Sequence, residues 1–203
     1  MATGEGTGTP ASSTEPITRT EAKKQLEIDA GITVHDTYID GLITMARKDA
    51  ESFLHRKLIQ QTLTGYLESW PSGDSIVMPF GNLQSVTSVK YTDSNGDQST
   101  WSSDEYITAT ETEPGRIVLG YGESWPSVTL YPSNPIEIIF VAGYGDSGSY
   151  VPEPIRHAIK LILADKFANR EDVIIGTISA NLKMAINLMT KLIYHPVSEV
   201  KVI

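Results

Sequence analysis

Cysteine is absent from all 203 residues, so the chain can form neither disulfides nor thiolate metal sites, and it gives no clue to redox compartment. Long apolar runs are absent too. The longest is a few residues, far short of the roughly 18 that cross a bilayer. Residues 1–16, M-A-T-G-E-G-T-G-T-P-A-S-S-T-E-P, hold no basic residue and no apolar stretch, so no secretory leader is expected. Histidine occurs four times, and no two have metal-ligand spacing, so neither a metal nor a cofactor is expected. Positive charge is nearly missing from residues 62–151, which carry eleven acids against two bases and account for the net charge of −9. A surface of that sign repels phosphate and argues against a sequence-reading DNA-binding protein. Its plain reading is a solvated face.

What is present is ordinary for a globular protein: 40% hydrophobic and 20% charged residues, in a length that suits one sizeable core or two small ones. The Gly/Thr/Ser/Pro leader, 1–16, buries too little apolar surface to offset its ordering and reads as a disordered arm. Thr18 to Glu21 is a T-x-x-E capping box opening a helix with Ala22, Leu26 and Ile28 on one side, stopped by Gly31. A longer helix spans about His35 to Lys57, with Thr33 and Asp36 as a T-x-x-D cap. Its apolar positions Ile39, Leu42, Ile43, Ala46, Ala50, Phe53 and Leu54 share one face.

From Gln60 the period changes to that of strands. Short β-type runs cover Thr62–Glu68, Ser75–Met78, Val86–Thr92, Gln98–Trp101, Glu105–Thr108, Arg116–Leu119, Val128–Tyr131 and Ile136–Val141, separated by Gly, Pro, Asn and Asp. Asn95-Gly96 is a hairpin dipeptide whose two turn positions both favour positive φ. Such spacing predicts a small antiparallel sandwich or barrel. The pentapeptide E-S-W-P-S occurs at Glu68–Ser72 and Glu123–Ser127, but its surroundings differ, so the copies read as two strand ends and not as a domain repeat.

Strand gives way to helix across Ile136–Asp172. A glycine-rich corner turns the chain, and Pro152 and Pro154 open a helix carrying Ile155, Ala158, Ile159, Ile162, Leu163 and Phe167 on one face. Ser179 caps a last helix with Leu182, Ala185, Ile186, Met189, Leu192 and Ile193, ended by Pro196. The apolar tail from Val197 to Ile203 would, if exposed, be a strand seeking a partner. The predicted class is α+β: a helical body of about four helices with an inserted antiparallel β sandwich or barrel-like segment. Its parts are an arm (1–16), a first helical part (17–59), the β insertion (60–150), a second helical part (151–195) and a docking tail (196–203).

Several motifs imitate catalytic ones. Gly143, Gly145 and Gly148 form G-x-G-x-x-G after a strand, but Pro152 and Pro154 start the helix too late and no βαβ unit follows. Gly145–Gly148, G-D-S-G, resembles a serine-protease nucleophile loop, yet His35, His55, His157 and His195 offer no triad context. Asp93, Asn95, Asp97, Ser99 and Asp104 approach calcium-loop spacing, but Gln98 stands where glycine is needed. The carboxylate pairs Glu111/Glu113 and Asp104/Glu105 do not converge for glycoside hydrolysis, because neighbouring strand positions face opposite ways. No enzymatic activity is expected.

Five stretches in one order are similar to a known family: P-I-T-R-T-E-A-K-K-Q-L-E-I-D (Pro16–Asp29), A-R-K-D-A-E-S-F-L-H-R-K-L-I (Ala46–Ile59), L-Q-S-V-T-S-V-K-Y-T-D-S-N-G (Leu83–Gly96), P-G-R-I (Pro114–Ile117) and A-G-Y-G-D with V-P-E-P-I-R-H-A-I. Together they resemble the tailed-bacteriophage head-to-tail connector family, also called head completion or DNA-packaging adaptor proteins, over about residues 16–195. The arm before Pro16 is longer than the resemblance accounts for, and Asp172–Ser179 has no counterpart in it. The resemblance implies a structural virion protein, made in the host bacterial cytoplasm, that forms a ring on the portal vertex. Twelvefold symmetry is expected from the family's match to the portal. The implied partners are the portal protein, the next neck or tail completion protein, and genomic DNA that passes through the channel without being read; no membrane is involved. Residues put forward for subunit or portal contacts are Leu42, Ala46 and Phe53, then Ile159 and Ile162, and in the tail Tyr194, Val197, Val200, Val202 and Ile203. One alternative is a carbohydrate- or receptor-binding β module of a phage tail or baseplate, suggested by Trp70, Trp101 and Trp125 near acids. Clustered tryptophans would favour it and buried ones the connector. A second alternative, a hydrolase, needs two carboxylates converging in a pocket.

Overall fold

The computed structural model describes residues 14–169, 179–194 and 200–202. Most of the predicted arm, most of Asp172–Ser179, and Val197 and Ile203 lie outside the described residues. The chain divides into two compact units: a helical one, Ser13–Ile59 with Tyr144–Tyr194, and a β one that holds Gln60–Gly143 and His195–Ile203.

The helical unit begins with Arg19–Gln25 (α1). Both halves of the capping box form: the Glu21 N–H donates to the Thr18 hydroxyl at 3.2 Å, and the Thr18 N–H donates to the Glu21 carboxylate at 2.8 Å. The helix stops well before Gly31, because Glu27 takes a left-handed φ of 55°. Lys23 then ties down the following turn. Its ammonium is buried and donates to the carbonyls of Ala30 (3.2 Å) and Ile32 (2.8 Å) while pairing with Asp36 at 2.6 Å. The second helix, Asp36–Leu54 (α2), has no side-chain cap, so the predicted Thr33–Asp36 cap does not form; Lys23 and Arg19 hold the Asp36 carboxylate instead. It ends at His55, left-handed at φ 53°, two residues before Lys57. Glu153–Ala168 (α3) follows Pro152, and Ala180–Thr190 (α4) is capped by the Ser179 hydroxyl, which accepts from the Leu182 N–H at 3.1 Å. The inner faces of these helices form one core around Ile39, Ile43, Leu54, Ile155, Ile159 and Leu163.

In the β unit seven of the eight predicted runs are strands. They are Gln61–Leu67 (β1), Ser75–Val77 (β2), Leu83–Thr92 (β3), Gln98–Thr100 (β4), Tyr106–Ala109 (β5), Arg116–Leu119 (β6) and Ile136–Ala142 (β7). Val128–Tyr131 makes only one bridge, Asp93 to Leu130, since Pro126, Pro132 and Pro135 crowd it with residues that cannot donate to a ladder. An eighth strand, Lys201–Val202 (β8), comes from the tail. One sheet runs β4-β3-β7-β1-β8 and the other β2-β6-β5, both antiparallel. Along β7, Ile136, Ile138, Phe140 and Ala142 alternate inward, meeting Ile76 and Ile117 of the smaller sheet in a shared core. The sheets stay open; they face each other without closing into a barrel. At the Asn95-Gly96 turn only Gly96 has positive φ (91°), because the loop is longer than two residues and the Asp93 carboxylate accepts from the N–H groups of Asn95 (2.9 Å) and Asp97 (3.0 Å).

Candidate functional site

Several of the residues that imitate catalytic motifs have structural partners. Ser147 of the G-D-S-G loop caps a short 3-10 turn, its hydroxyl accepting from the Ser149 N–H at 3.3 Å. Gly148 lies against the carbonyls of Glu15 and Pro16, where a Cβ would come within 2.7 Å of both. The glycines thus build a tight corner at the start of the second helical part. Glu105 accepts the Trp101 indole N–H, and Glu113 accepts from the Asn82 N–H at 3.2 Å. The Asp93 carboxyl is held below its ordinary range chiefly by the Asp97 N–H, which with the N–H groups of Asn95 and Gly96 outweighs the opposing desolvation. Among the described residues no group of three or more His, Asp or Glu could hold a metal, and no helix is long and apolar enough to cross a membrane.

A cleft of about 760 Å³ opens in the helical unit, lined by Glu15, Arg19, Glu21, Asp40, Ser149 and Arg156 among others. Its charges are matched. Arg19 pairs with Asp36 and Asp40, Arg156 with Glu21 (2.5 Å) and Glu153 (2.8 Å), and Glu15 with Arg47 (2.7 Å). Burial pushes the Glu21 carboxyl up, but the Thr18 N–H and hydroxyl together with Arg156 and Lys160 outweigh it and hold it below the ordinary range. The cleft is a set of ion pairs that secures residues 15–21 to α2 and α3.

The residues put forward as contacts fall into two groups. Leu42, Ala46, Ile159 and Ile162 are buried in the helical core, and Phe53 packs partly buried against it, so packing within the subunit already accounts for their apolar character. Tyr194 belongs there as well: its N–H donates to the Leu54 carbonyl at 2.9 Å and its ring lies under Arg56. The tail, expected to lack a place in its own core, has one. Val202 pairs with Gly65 and Lys201 with Tyr66, while Val200 is buried over Gly65. Gly65 makes the approach possible, since a Cβ there would stand 2.5 Å from Val200 Cγ1.

The three tryptophans do gather. Trp70 and Trp125, one from each E-S-W-P-S copy, stack at 5.2 Å with 12° between planes, and Trp101 meets both at 5.5 and 5.3 Å. Tyr91 and Tyr106 extend the cluster. The Trp125 indole donates to the Gly73 carbonyl at 2.8 Å, and Trp101 is only 3% exposed. Sequence spacing gave no sign of this contact, which joins loops more than fifty residues apart.

Neither a protein-family model nor a curated protein matches the sequence. Solved structures do. The chain is similar to a subunit in the neck of an empty gene transfer agent particle solved with C6 symmetry, with TM-score 0.75, 20% identity and 97% of each chain covered. It is similarly close to one in the neck of the native particle solved with C12 symmetry, at TM-score 0.73, 21% identity and 97% coverage of each. A third likeness, to a chain of the native gene transfer agent virion, has TM-score 0.72, 20% identity and coverage of 90% and 91%. The chain therefore has, over nearly its whole length, the fold of a subunit found in the neck of a phage-like particle.

Proposed function

We propose that this chain is a structural virion protein that forms the head-tail connector ring on a portal vertex, extends the DNA channel and docks the next neck or tail protein. One observation carries the reading: the fold likeness spans 97% of the chain, in necks solved with C6 and C12 symmetry. The ordered motifs from Pro16 to the Gly143–Ile159 joint point the same way. A closed ring needs two different, complementary patches on each subunit, and a chain whose carboxylates are built into salt bridges and caps suits that role. If the acidic β unit lines the bore, it repels DNA and lets it slide. Neutralising its exposed carboxylates without altering DNA retention or ejection would remove that part of the proposal.

The test is the native mass of the purified chain, alone and with its portal, by native mass spectrometry or light scattering. A ring, or stoichiometric capture of the monomer by portal, is expected; a monomer indifferent to portal would refute the reading. The tryptophan cluster is the observation in favour of the carbohydrate- or receptor-binding alternative. Against it, Trp70 and Trp125 stack on each other and Trp101 is buried, so much of the ring surface is taken up within the cluster. A glycan array is expected to be blank.

A further inference from the structure

The chain holds six asparagines, and only Asn95 precedes a glycine. An asparagine side chain is open to attack by the backbone nitrogen of the next residue, which is one reason asparagine is thermolabile. Glycine, with no Cβ, leaves that approach unhindered. Leucine after Asn82, Asn181 and Asn187, and arginine after Asn169, crowd it, and Pro135 offers Asn134 no N–H.

The fold itself calls for this glycine. Gly96 has φ 91°, in the left-handed region, and a Cβ there would meet nothing within 4 Å, so backbone conformation and not packing selects it. Asn95 and Gly96 are both exposed, at the tip that joins β3 to β4, where water reaches them freely.

The same turn restrains the reaction. Attack requires the Gly96 nitrogen to lose its proton and to swing onto Asn95 Cγ. Its N–H donates instead to the Asp93 carbonyl at 3.0 Å. The Asp93 carboxylate holds the other reactant, accepting from the Asn95 N–H at 2.9 Å and from Asn95 Nδ2 at a longer 3.4 Å, and it takes the Asp97 N–H at 3.0 Å as well. Its negative charge opposes the amide anion that attack would need. The residue is fixed in turn: the Asp93 N–H donates to the Asp97 carbonyl at 3.0 Å, and the Ser94 N–H to the Thr129 carbonyl at 2.8 Å.

We infer that Asn95 is a latent self-modification site that Asp93 keeps closed. Once the turn opens, the Gly96 nitrogen bonds to Asn95 Cγ, the Cγ–Nδ2 bond breaks, and the Gly96 proton leaves with Nδ2 as ammonia. Water then opens the resulting cyclic imide. Addition at Cγ gives aspartate, and addition at the main-chain carbonyl carbon gives isoaspartate. Either product sets a new negative charge beside Asp93 and Asp97. Isoaspartate also adds a methylene to the main chain, which disturbs the pairing of the short edge strand β4 with Lys90, Tyr91 and Thr92.

The test uses the full-length chain, incubated folded and, in parallel, unfolded in guanidinium chloride at the same pH and temperature. Trypsin then releases the peptide 91–116, in which Asn95 is the only asparagine, and mass spectrometry reads the exchange of –NH2 for –OH. Conversion should be at least about tenfold slower in the folded chain, because attack there must break two hydrogen bonds. Asp93→Ala should speed the folded chain by at least about tenfold, with the near-ultraviolet dichroism of the tryptophans unchanged as evidence of folding. Asp97→Ser removes a neighbouring charge but keeps the N–H that Asp93 accepts, so it should leave the rate as it is. Equal rates in the folded and unfolded unmodified chain would overturn the inference, and that comparison needs no variant to fold. A folded Asp93→Ala chain as slow as the unmodified one, or an Asp97→Ser chain as fast as Asp93→Ala, would overturn the part given to Asp93. No conversion at Asn95 even in guanidinium chloride would remove the site altogether.

Discussion

Replacing Gly65 with alanine should release the C-terminal strand. The new Cβ would stand 2.5 Å from Val200 Cγ1 but at an ordinary 3.4 Å from the Phe140 ring, so the tail is what must move. Burying Val200 contributes about 1.5–3 kcal/mol. The two ladder pairs of β8 add about 1 kcal/mol per backbone hydrogen bond. Against these, ordering residues 200–202 costs about 1–2 kcal/mol per residue. The docked strand therefore sits near balance, and losing the Val200 contact should shift the docked-to-undocked ratio about tenfold or more, since each 1.4 kcal/mol is a factor of ten, so that the undocked population rises about twofold and the docked one nearly disappears. Trypsin reads this directly. Lys201 lies within β8, and cleavage after it removes Val202 and Ile203, a mass change that is easily followed. When opening is fast, the rate of cleavage tracks the open population. The Gly65→Ala chain should lose these two residues about twofold faster than the unmodified chain under native conditions, with cleavage at Arg116 in β6 unchanged as evidence that the sheet stays folded. Equal rates at Lys201 in the two chains would refute the claim that Val200 over Gly65 anchors the tail.

Two further outcomes concern the turn between α1 and α2. Lys23→Met keeps the aliphatic stem but leaves the Ala30 and Ile32 carbonyls and the Asp36 carboxylate without their shared cation, so it should destabilise the helical unit by about 3 kcal/mol, measured as a fall in the thermal midpoint by circular dichroism at 222 nm. The Asp36 carboxyl is held below the ordinary range, first by its bond to Lys23 and then, against a smaller desolvation, by the charges of Lys23 and Arg19. The unfolded chain thus takes up this proton first as pH falls. The stability it contributes is complete above the ordinary carboxylate pKa of about 4 and is lost as pH drops through the lower folded value. The midpoint of the helical unit should fall between about pH 5 and 2, and Asp36→Asn should flatten that slope; an identical slope would show that the carboxylate is not responsible.

Local chemistry was legible in the sequence, and long-range pairing was not. The Thr18–Glu21 box needs only four consecutive residues, and it forms as the motif requires. The inner face of α2 follows from its three- and four-residue spacing. The Thr33–Asp36 cap fails because Lys23, ten residues earlier, competes for the same carboxylate from a turn that periodicity does not describe. Strand β3 begins three residues ahead of Val86, and its pairing with β7 slips at Gln84 and again at Thr87, which breaks the regular alternation that periodicity would detect. Apolar periodicity marks faces that pack, and here it marked the faces that pack inside the chain. That is why Leu42, Ala46, Ile159 and Ile162 stood out, and the structure buries all four in the helical core. The tail was recognisable as a strand, but its acceptor was marked only by a glycine inside β1.

All three tryptophans belong to the β unit, and the helical unit has none. Ultraviolet emission excited at 295 nm is therefore an optical label on one half of the subunit, installed without any engineering. Because the indoles of Trp70, Trp101 and Trp125 lie 5.2–5.5 Å apart, they should also couple electronically and give a near-ultraviolet dichroism signal that vanishes when the cluster loosens. Unfolding followed at 295 nm and unfolding followed through helix content would then be two separate clocks, one for each unit of the same chain.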